Sequence, residues 1–432
     1  MTNHQHPDLA ERLSPVVVLY VLAVVVPLRY SIGSIQMTGL RTYLALIFIP
    51  LLVHYCKNLP RKGVSSDVLF ALFVLWAALA FTQSSPAHVV ENSGALALEL
   101  LGGYLIARCF IRTSAHFLAT VKLVFVAVLL SVPLALVESF TGHPPLVILI
   151  DALPGFNSVG TVTIEPRLGL ERAQVLFAHP IHYGLFTSTI TALAFVGATG
   201  RWPLWLRLGG LSTGAFASFL ALSSGAFLAV LLQVFLIGWA MVFPQGRIRW
   251  VLLVCLCIAA YVAVDLMSNR TPVRVFFSYA TFSAHNAYWR GIIFEWGMLS
   301  VWQHPIFGIG LNDWVRPDFM RSGSMDNFWL VLAVRYGVPG FLLFTTAYFL
   351  GFFRVLCAHL PDELHAPRRA WVICFIGLTF TLCTVHIWTS VFSFVFFLFG
   401  AGFWMLDPLA PRRTAPSKRA SPVYTRFATA PA

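Results

Sequence analysis

Apolar runs long enough to cross a bilayer recur along the chain, and no single soluble core could bury them all. They fall at roughly 14–30, 40–56, 67–83, 94–110, 117–137, 181–199, 205–222, 225–243, 250–267, 328–352, 370–387 and 389–406. A spanning helix needs about 20 mostly apolar residues. Of the 432 residues, 58% are hydrophobic and 11% charged, against roughly 25% charged in an ordinary soluble domain. At a mean hydropathy of +0.78, apolar side chains outnumber the interior positions of a soluble fold, and lipid is the solvent that accepts them. The sequence predicts an all-α fold, a polytopic transmembrane helical bundle of about 12 spans. A single transmembrane domain covers 1–406, and a basic cytoplasmic tail, expected to be disordered, covers 407–432. The seventh and eighth runs are nearly continuous at Ser223-Ser224-Gly225, and the last two are joined near Thr389-Ser390. No targeting segment is expected to be removed, because Arg12 and Arg29 flank the first run without a small-residue cleavage site.

The net charge of +12 would suit a nucleic-acid binder if it were gathered in one patch. Here the basic residues stand in small groups between apolar runs, which is the pattern that sets membrane orientation. No nucleic-acid partner is expected. With the N-terminus inside, the outer basic residues are Arg29, Arg41, Arg167, Arg172, Arg270, Arg274, Arg290, Arg316, Arg321 and Arg335, and the larger share is cytoplasmic. The bundle is therefore read as N-in and C-in. All four lysines (Lys57, Lys62, Lys122 and Lys418) fall inside, so every outer cation is an arginine. Arginine's planar fork binds phosphate in bidentate fashion, although an arginine-rich composition would also give this bias by chance.

None of the seven cysteines falls in the outer loops, so no disulfide framework is expected there. Cys255-x-Cys257 lies within a run and lacks the second ligand pair that zinc needs. His179 and His182 sit three apart with no carboxylate or cysteine placed beside them, and together with the lone His285 and His304 they are read as hydrogen-bonded histidines. No metal site and no cofactor are expected. Glu99 and His386 lie in or near spans, where ionisable groups are costly and often functional. Glu99 has Arg108 or a neighbouring helix as possible partners.

Two long outer loops, 138–180 and 268–327, interrupt the apolar pattern and are expected to contain short helices. The first ends in Pro166-Arg167-Leu168-Gly169-Leu170-Glu171-Arg172-Ala173 through His179-Pro180. The second holds Arg290-Gly291-Ile292-Ile293-Phe294-Glu295-Trp296, then His304-Pro305-Ile306-Phe307-Gly308-Ile309-Gly310, and closes on Asp326-Asn327-Phe328-Trp329-Leu330 before Arg335-Tyr336-Gly337-Val338-Pro339-Gly340. The stretch 290–302 reads as a helix stopped by His304-Pro305, with Ile292, Trp296 and Leu299 on one face and Arg290 and Phe294 on another. Gly308-x-Gly310 reads as a turn device, since no lysine follows and no strand precedes it.

These loop sequences resemble the O-antigen ligase and polysaccharide polymerase superfamily of bacterial inner membranes. The likeness rests on Arg167 to Pro180, on Arg290 to Gly310, and on Asp326-Asn327 with Tyr336-Gly337-x-x-Gly340. Ser223-Ser224-Gly225-Ala226 stands where many members have Ser-Arg-Gly. The resemblance implies a metal-independent glycosyltransferase in the inner membrane that uses a lipid-diphosphate glycan donor. Its partners would be an undecaprenyl-diphosphate-linked glycan and the lipid bilayer, with a chain-length regulator and a flippase acting alongside. Carried over by position, Arg172 and Arg290 would hold the diphosphate at the periplasmic face. The ligases place a histidine where this chain has Asp326, which favours a polymerase of exopolysaccharide or O-antigen repeats over a ligase that transfers polymer to lipid A-core.

The residue types suit that chemistry independently. Charge builds on a departing diphosphate, so fixed arginines stabilise the transition state more than the ground state. Asp326 offers a carboxylate that could take the acceptor's proton, or else cap the following helix. Arg172, Arg290 and Asp326 are the catalytic candidates, with Arg167, Arg335, His179, Asn327 and His304 as substrate-binding candidates. A secondary transporter or flippase is the reading from another class. It would show internal repeats and mid-membrane charges, and the sequence shows no clear repeat.

Overall fold

The computed structural model describes residues 12–33, 35–58, 62–162, 164–243, 246–269, 275, 284–320 and 322–407. The basic tail from 408 onward, and the outer arginines Arg270, Arg274 and Arg321, lie outside the described residues.

Helices occupy every predicted apolar run. In chain order they are α1 (Pro15–Val25), α2 (Gly39–Lys57), α3 (Val64–Ser84), α4 (Val89–Ala97), α5 (Gly103–Phe110), α6 (Ser114–Thr141), α7 (Pro145–Asp151), α8 (Pro180–Phe195), α9 (Leu204–Leu220), α10 (Ser224–Val242), α11 (Gly246–Met267), α12 (Ala284–Gln303), α13 (Phe328–Leu356), α14 (His365–Leu382) and α15 (Thr389–Gly400). Among the described residues, 8 helices are long and apolar enough to cross a membrane by length and composition, α4 and α5 counting as one through a π-helical turn at Leu98–Gly102. The runs that fall outside that set are α1, α8, α9 and α14. The first is cut short by Pro27, beyond which the chain forms a hairpin, β1 (Arg29–Ile32) with β2 (Ile35–Thr38). This two-stranded sheet is a departure from the all-α expectation. Proline ends the helix by removing a backbone donor, and Gly33 takes the left-handed turn conformation, φ 61°.

The bundle is organised around α8, which is buried along nearly its whole length, polar Thr187, Ser188, Thr189 and Thr191 included. Close packing of α9 on α8 comes from Gly210 and Gly214. A Cβ at Gly210 would meet Ala194 at 2.4 Å, and one at Gly214 would meet Ile190 at 2.5 Å. Small residues spaced four apart let helix backbones approach where lipid offers no hydrophobic drive. Gln233 of α10 bridges to α8, accepting from Ala192 N at 3.1 Å and donating to Ser188 O at 3.0 Å. The second layer is aromatic. Phe70, Phe328, Phe344 and Phe396 pack edge-on or tilted, for example Phe70 and Phe344 with centroids 5.4 Å apart. This packing seats α13 against α3 and α15.

The predicted loop helix is real but longer, starting at Ala284. Ile293, Gly297, Ser300 and Val301 are buried, whereas Leu299 and Phe294 are exposed. Gly297 sets that face, because a Cβ there would meet Leu330 of α13 at 2.6 Å.

Candidate functional site

The loop between α6 and α8 is a strap pinned on both sides of Arg172. Glu138, near the end of α6, accepts from Gln174 N at 2.9 Å and Val175 N at 2.7 Å. Glu171 N donates to Ser139 O at 2.9 Å, and Ala173 N to Leu220 O at 3.1 Å. Between those pins the two strap arginines turn towards the α9–α10 joint. Arg167 Nη1 donates to Leu222 O at 2.8 Å and Arg172 Nε to Ala221 O at 3.4 Å. The carbonyls at a helix C-terminus carry partial negative charge, so they orient both guanidiniums and, among the described residues, engage one N–H donor of each fork.

Arg290 of α12 joins this pair. Burial lowers its pKa, the Asp326 carboxylate raises it, and the positive charge of Arg167 lowers it. Burial also lowers Arg172, to about 10, with Arg167 adding to the effect. Arg167, within reach of both Arg172 and Arg290, disfavours their charge in a partly desolvated place, and an anion placed there would relieve that. No ion pair closes between Arg290 and Asp326 among the described residues, so the guanidinium is not consumed by its neighbour.

The structure separates the two candidate roles at the start of α13. Asn327 is the cap, its side-chain oxygen accepting from Leu330 N at 3.0 Å. Among the described residues Asp326 accepts from Ser324 Oγ alone, at 2.7 Å, and it is half-buried within electrostatic reach of Arg290. His179 is likewise a cap. Its Nδ1 accepts from Ile181 N at 3.1 Å at the start of α8, which requires the neutral ring. Burial and Arg172 depress its pKa to about 4, against the pull of Asp326.

His304 stands apart. It is exposed at the end of α12 and lines a cavity of about 500 Å³ with Gln83, Ser84 and Asn312. Its backbone carbonyl accepts from Gly308 N at 3.0 Å. The Gly308-x-Gly310 turn that follows docks into a broken helix. Gly337 has φ 71° and ψ 178° within α13, and Pro339 has no N–H. The carbonyls of Val334 and Arg335 consequently lose their helical donors. Ile309 N supplies Val334 O at 2.9 Å and Gly310 N supplies Arg335 O at 3.1 Å, while Val338 N finds Pro305 O at 2.8 Å. Both partners must be glycine. A Cβ at Gly308 would meet Arg335 backbone at 2.5 Å, and one at Gly337 would meet Ile306 O at 2.1 Å.

That docking fixes Arg335, one of the substrate-binding candidates, at the edge of a second group with Arg41, Glu99 and His386. Arg41 Nε pairs with Glu99 Oε1 at 2.8 Å. Arg108, the other partner considered for Glu99, binds Asp67 instead, at 2.8 Å. Between the two groups stands Trp388. His182 meets it edge-on at 4.0 Å, with His386 at 5.6 Å and His179 at 6.2 Å. Nothing in the sequence singled out Trp388. Of the remaining outer arginines that are described, Arg316 is held within its own loop by Asp313 and Met320 O.

Four described non-glycine residues have positive φ, namely Leu168, Val175, Leu222 and Thr389. All four flank this region, two in the strap, one at the α9–α10 joint and one beside Trp388. Such backbone is sustained only where surrounding structure over-determines it, and it concentrates at functional sites.

Apolar helices enough for several passes, joined to arginine-bearing loops gathered at one end of the bundle, define a multi-pass membrane protein. Residues 209–345 match the family model described as O-antigen ligase, so this stretch is similar to that family's domain. The matched stretch contains Arg290, Asp326, Asn327 and Arg335, and the strap arginines lie outside it. No curated protein matches the chain.

Proposed function

We propose that this protein polymerises undecaprenyl-diphosphate-linked polysaccharide repeats, transferring a glycan to an acceptor hydroxyl at the periplasmic face of the bacterial inner membrane. The reading takes all twelve apolar helices as spans, N-in and C-in, as the distribution of basic residues favours. The observation that carries it is the convergence of Arg167, Arg172 and Arg290 around a carboxylate, Asp326, that capping does not use.

In the transfer, the acceptor oxygen bonds to the anomeric carbon of the donor glycan as the bond from that carbon to the diphosphate oxygen breaks. The acceptor's proton passes to Asp326, and the electron pair leaves with the carrier diphosphate. Arg172 and Arg290, with Arg167 behind them, meet the growing charge. Their donors are already oriented by the α9–α10 carbonyls, so little reorganisation is needed as the bond breaks. His179, neutral through its capping role, borders the acceptor side without adding charge. Neither step calls on a metal.

Ligation of finished polymer to lipid A-core is the second reading, favoured by the description of the matching family. Asp326 in place of the ligases' histidine tips the balance towards polymerisation. The test is replacement of Arg172 or Arg290 by alanine in cells that still insert the protein. Long-chain polysaccharide should disappear, and normal polymer in both variants would remove the proposal.

A further inference from the structure

A cavity of about 550 Å³ opens between the start of α3, the end of α13 and the residues that follow α15. Lys62, Ser65, Arg354 and His359 supply its polar lining, and Ala358 and Met405 are among its apolar residues. At the other end of α3, Ser84 and Ser85 meet Asn312 and Leu311 of the outer loop. The cavity therefore lies about 30 Å from that loop, the length of a 21-residue helix. With the N-terminus inside, it faces the cytoplasm.

Its construction leaves positive charge uncancelled. Asp67, in the first turn of α3, is fully engaged elsewhere. It accepts from Arg108 Nε at 3.0 Å and Nη2 at 2.8 Å, and from the hydroxyls of Tyr55 and Tyr104. Arg108 Nη2 also donates to Lys62 O at 3.0 Å, which fixes the turn into the helix. Gly63 makes that turn in the left-handed conformation, φ 87°, and a Cβ there would meet Phe403 at 2.8 Å. Arg354 donates to Ser65 Oγ and so ties α13 to α3, but a hydroxyl brings no negative charge. Among the described residues, no carboxylate pairs with Lys62, Arg354 or His359. Asp407 follows Leu406 in the chain and does not line the space. No side chain caps α3, so its first N–H groups add partial positive charge to the same wall.

Arg354 is flanked in the last turn of α13 by Phe353 and Leu356, both exposed. In a bilayer such side chains lie in hydrocarbon while the guanidinium reaches the head groups. The cavity mouth thus opens at head-group depth, where anionic lipids of a cytoplasmic leaflet collect beside basic residues.

We propose that this cavity binds the phosphate group of an anionic membrane lipid, held by Lys62, Arg354 and the start of α3, with the acyl chains lying along Phe353 and Leu356. The site is remote from the arginines of the outer face and does not depend on the transfer reading. A lipid seated there would clamp α3 to α13, the two helices whose outer halves are joined by the bond from Trp76 Nε1 to Tyr336 O at 2.9 Å.

The test is a titration of phosphatidylglycerol into phosphatidylcholine nanodiscs that hold the purified full-length protein, with retained lipid counted by native mass spectrometry. The wild type should retain phosphatidylglycerol, and K62Q/R354Q should need about tenfold more of it for the same occupancy, the share expected of two cations near the surface. Ala358→Phe fills the cavity and keeps both charges, and it should lose the lipid as well. K122Q/R201Q removes the same charge from exposed positions outside the cavity and should bind as the wild type does. No retained phosphatidylglycerol in the wild type would overturn the proposal. So would full retention in Ala358→Phe, an equal loss in K122Q/R201Q, or displacement of the lipid by millimolar inorganic phosphate, which would make this a site for the free anion.

Discussion

Asp326 and Asn327 are adjacent, both polar and both acceptable at the start of a helix, yet the structure gives them different work. Asn327 closes the first turn of α13, so Asn327→Ala should cost about 1 kcal/mol of stability and lower the thermal midpoint in detergent. Asp326→Asn should leave that midpoint unchanged and abolish polymer. A melting curve paired with a glycan gel separates the two, and a stable, active D326N would reject the base assignment. For Arg172→Ala the expected loss of transfer rate is about a hundredfold to a thousandfold, the usual consequence of removing one preorganised donor to developing charge. His179 supplies a pH dependence. Its folded pKa, about 4, lies below the ordinary 6.5, so between those values the unfolded chain binds more protons. Stability contributed at this cap is therefore lost as pH falls from about 6.5 towards 4. His179→Asn keeps a capping oxygen without the titration and should flatten that part of the stability profile. An unchanged acid slope would place the titrating group elsewhere.

At the scale of elements, the decisive joint is the Pro305–Gly310 turn docked into the break of α13. Gly337→Ala would force a left-handed residue to carry a Cβ, at about 1–2 kcal/mol for the backbone alone, and drive it into Ile306 O. The expected outcome is protease cleavage in the 304–312 turn together with loss of activity, while the protein still inserts. Resistance equal to wild type would show that the turn is not held by the break. This joint explains what was legible in the sequence and what was not. The glycines were readable as turn residues, because their conformational freedom is local. That they feed donors to carbonyls orphaned by Pro339 depends on a contact across the fold, which no spacing encodes. For the same reason the buried face of α12 was not legible. Apolar residues surround that helix, and Gly297, too small to register in any pattern, selects the side that meets Leu330. Arg172 and Arg290 were legible as cations outside the spans, whereas Trp388 and the Arg41–Glu99 pair are products of packing between distant segments.

For the whole molecule, apolar length placed a helix in each of the twelve runs, since in lipid each helix must satisfy its own backbone, whereas α7 and α12 lie in the loops between runs. The hairpin after α1 escaped because it falls mostly in the short gap between the runs 14–30 and 40–56. Orientation is open to a direct check, because Cys56 and Cys357 are exposed near the ends of α2 and α13 that the N-in arrangement puts in the cytoplasm. A membrane-impermeant maleimide should label neither in intact spheroplasts and both after permeabilisation. Labelling from outside would invert the bundle and remove the arginines from the periplasm. The account's central claim is that the clustered arginines and Asp326 extend a carrier-linked glycan, and its most direct test is the mass profile of lipid-linked glycans in cells lacking this protein. Accumulation of carrier bearing a single repeat, reversed by the wild type and not by D326N, is the predicted result. Accumulation of full-length polymer still attached to its carrier would contradict polymerisation and make the protein a ligase.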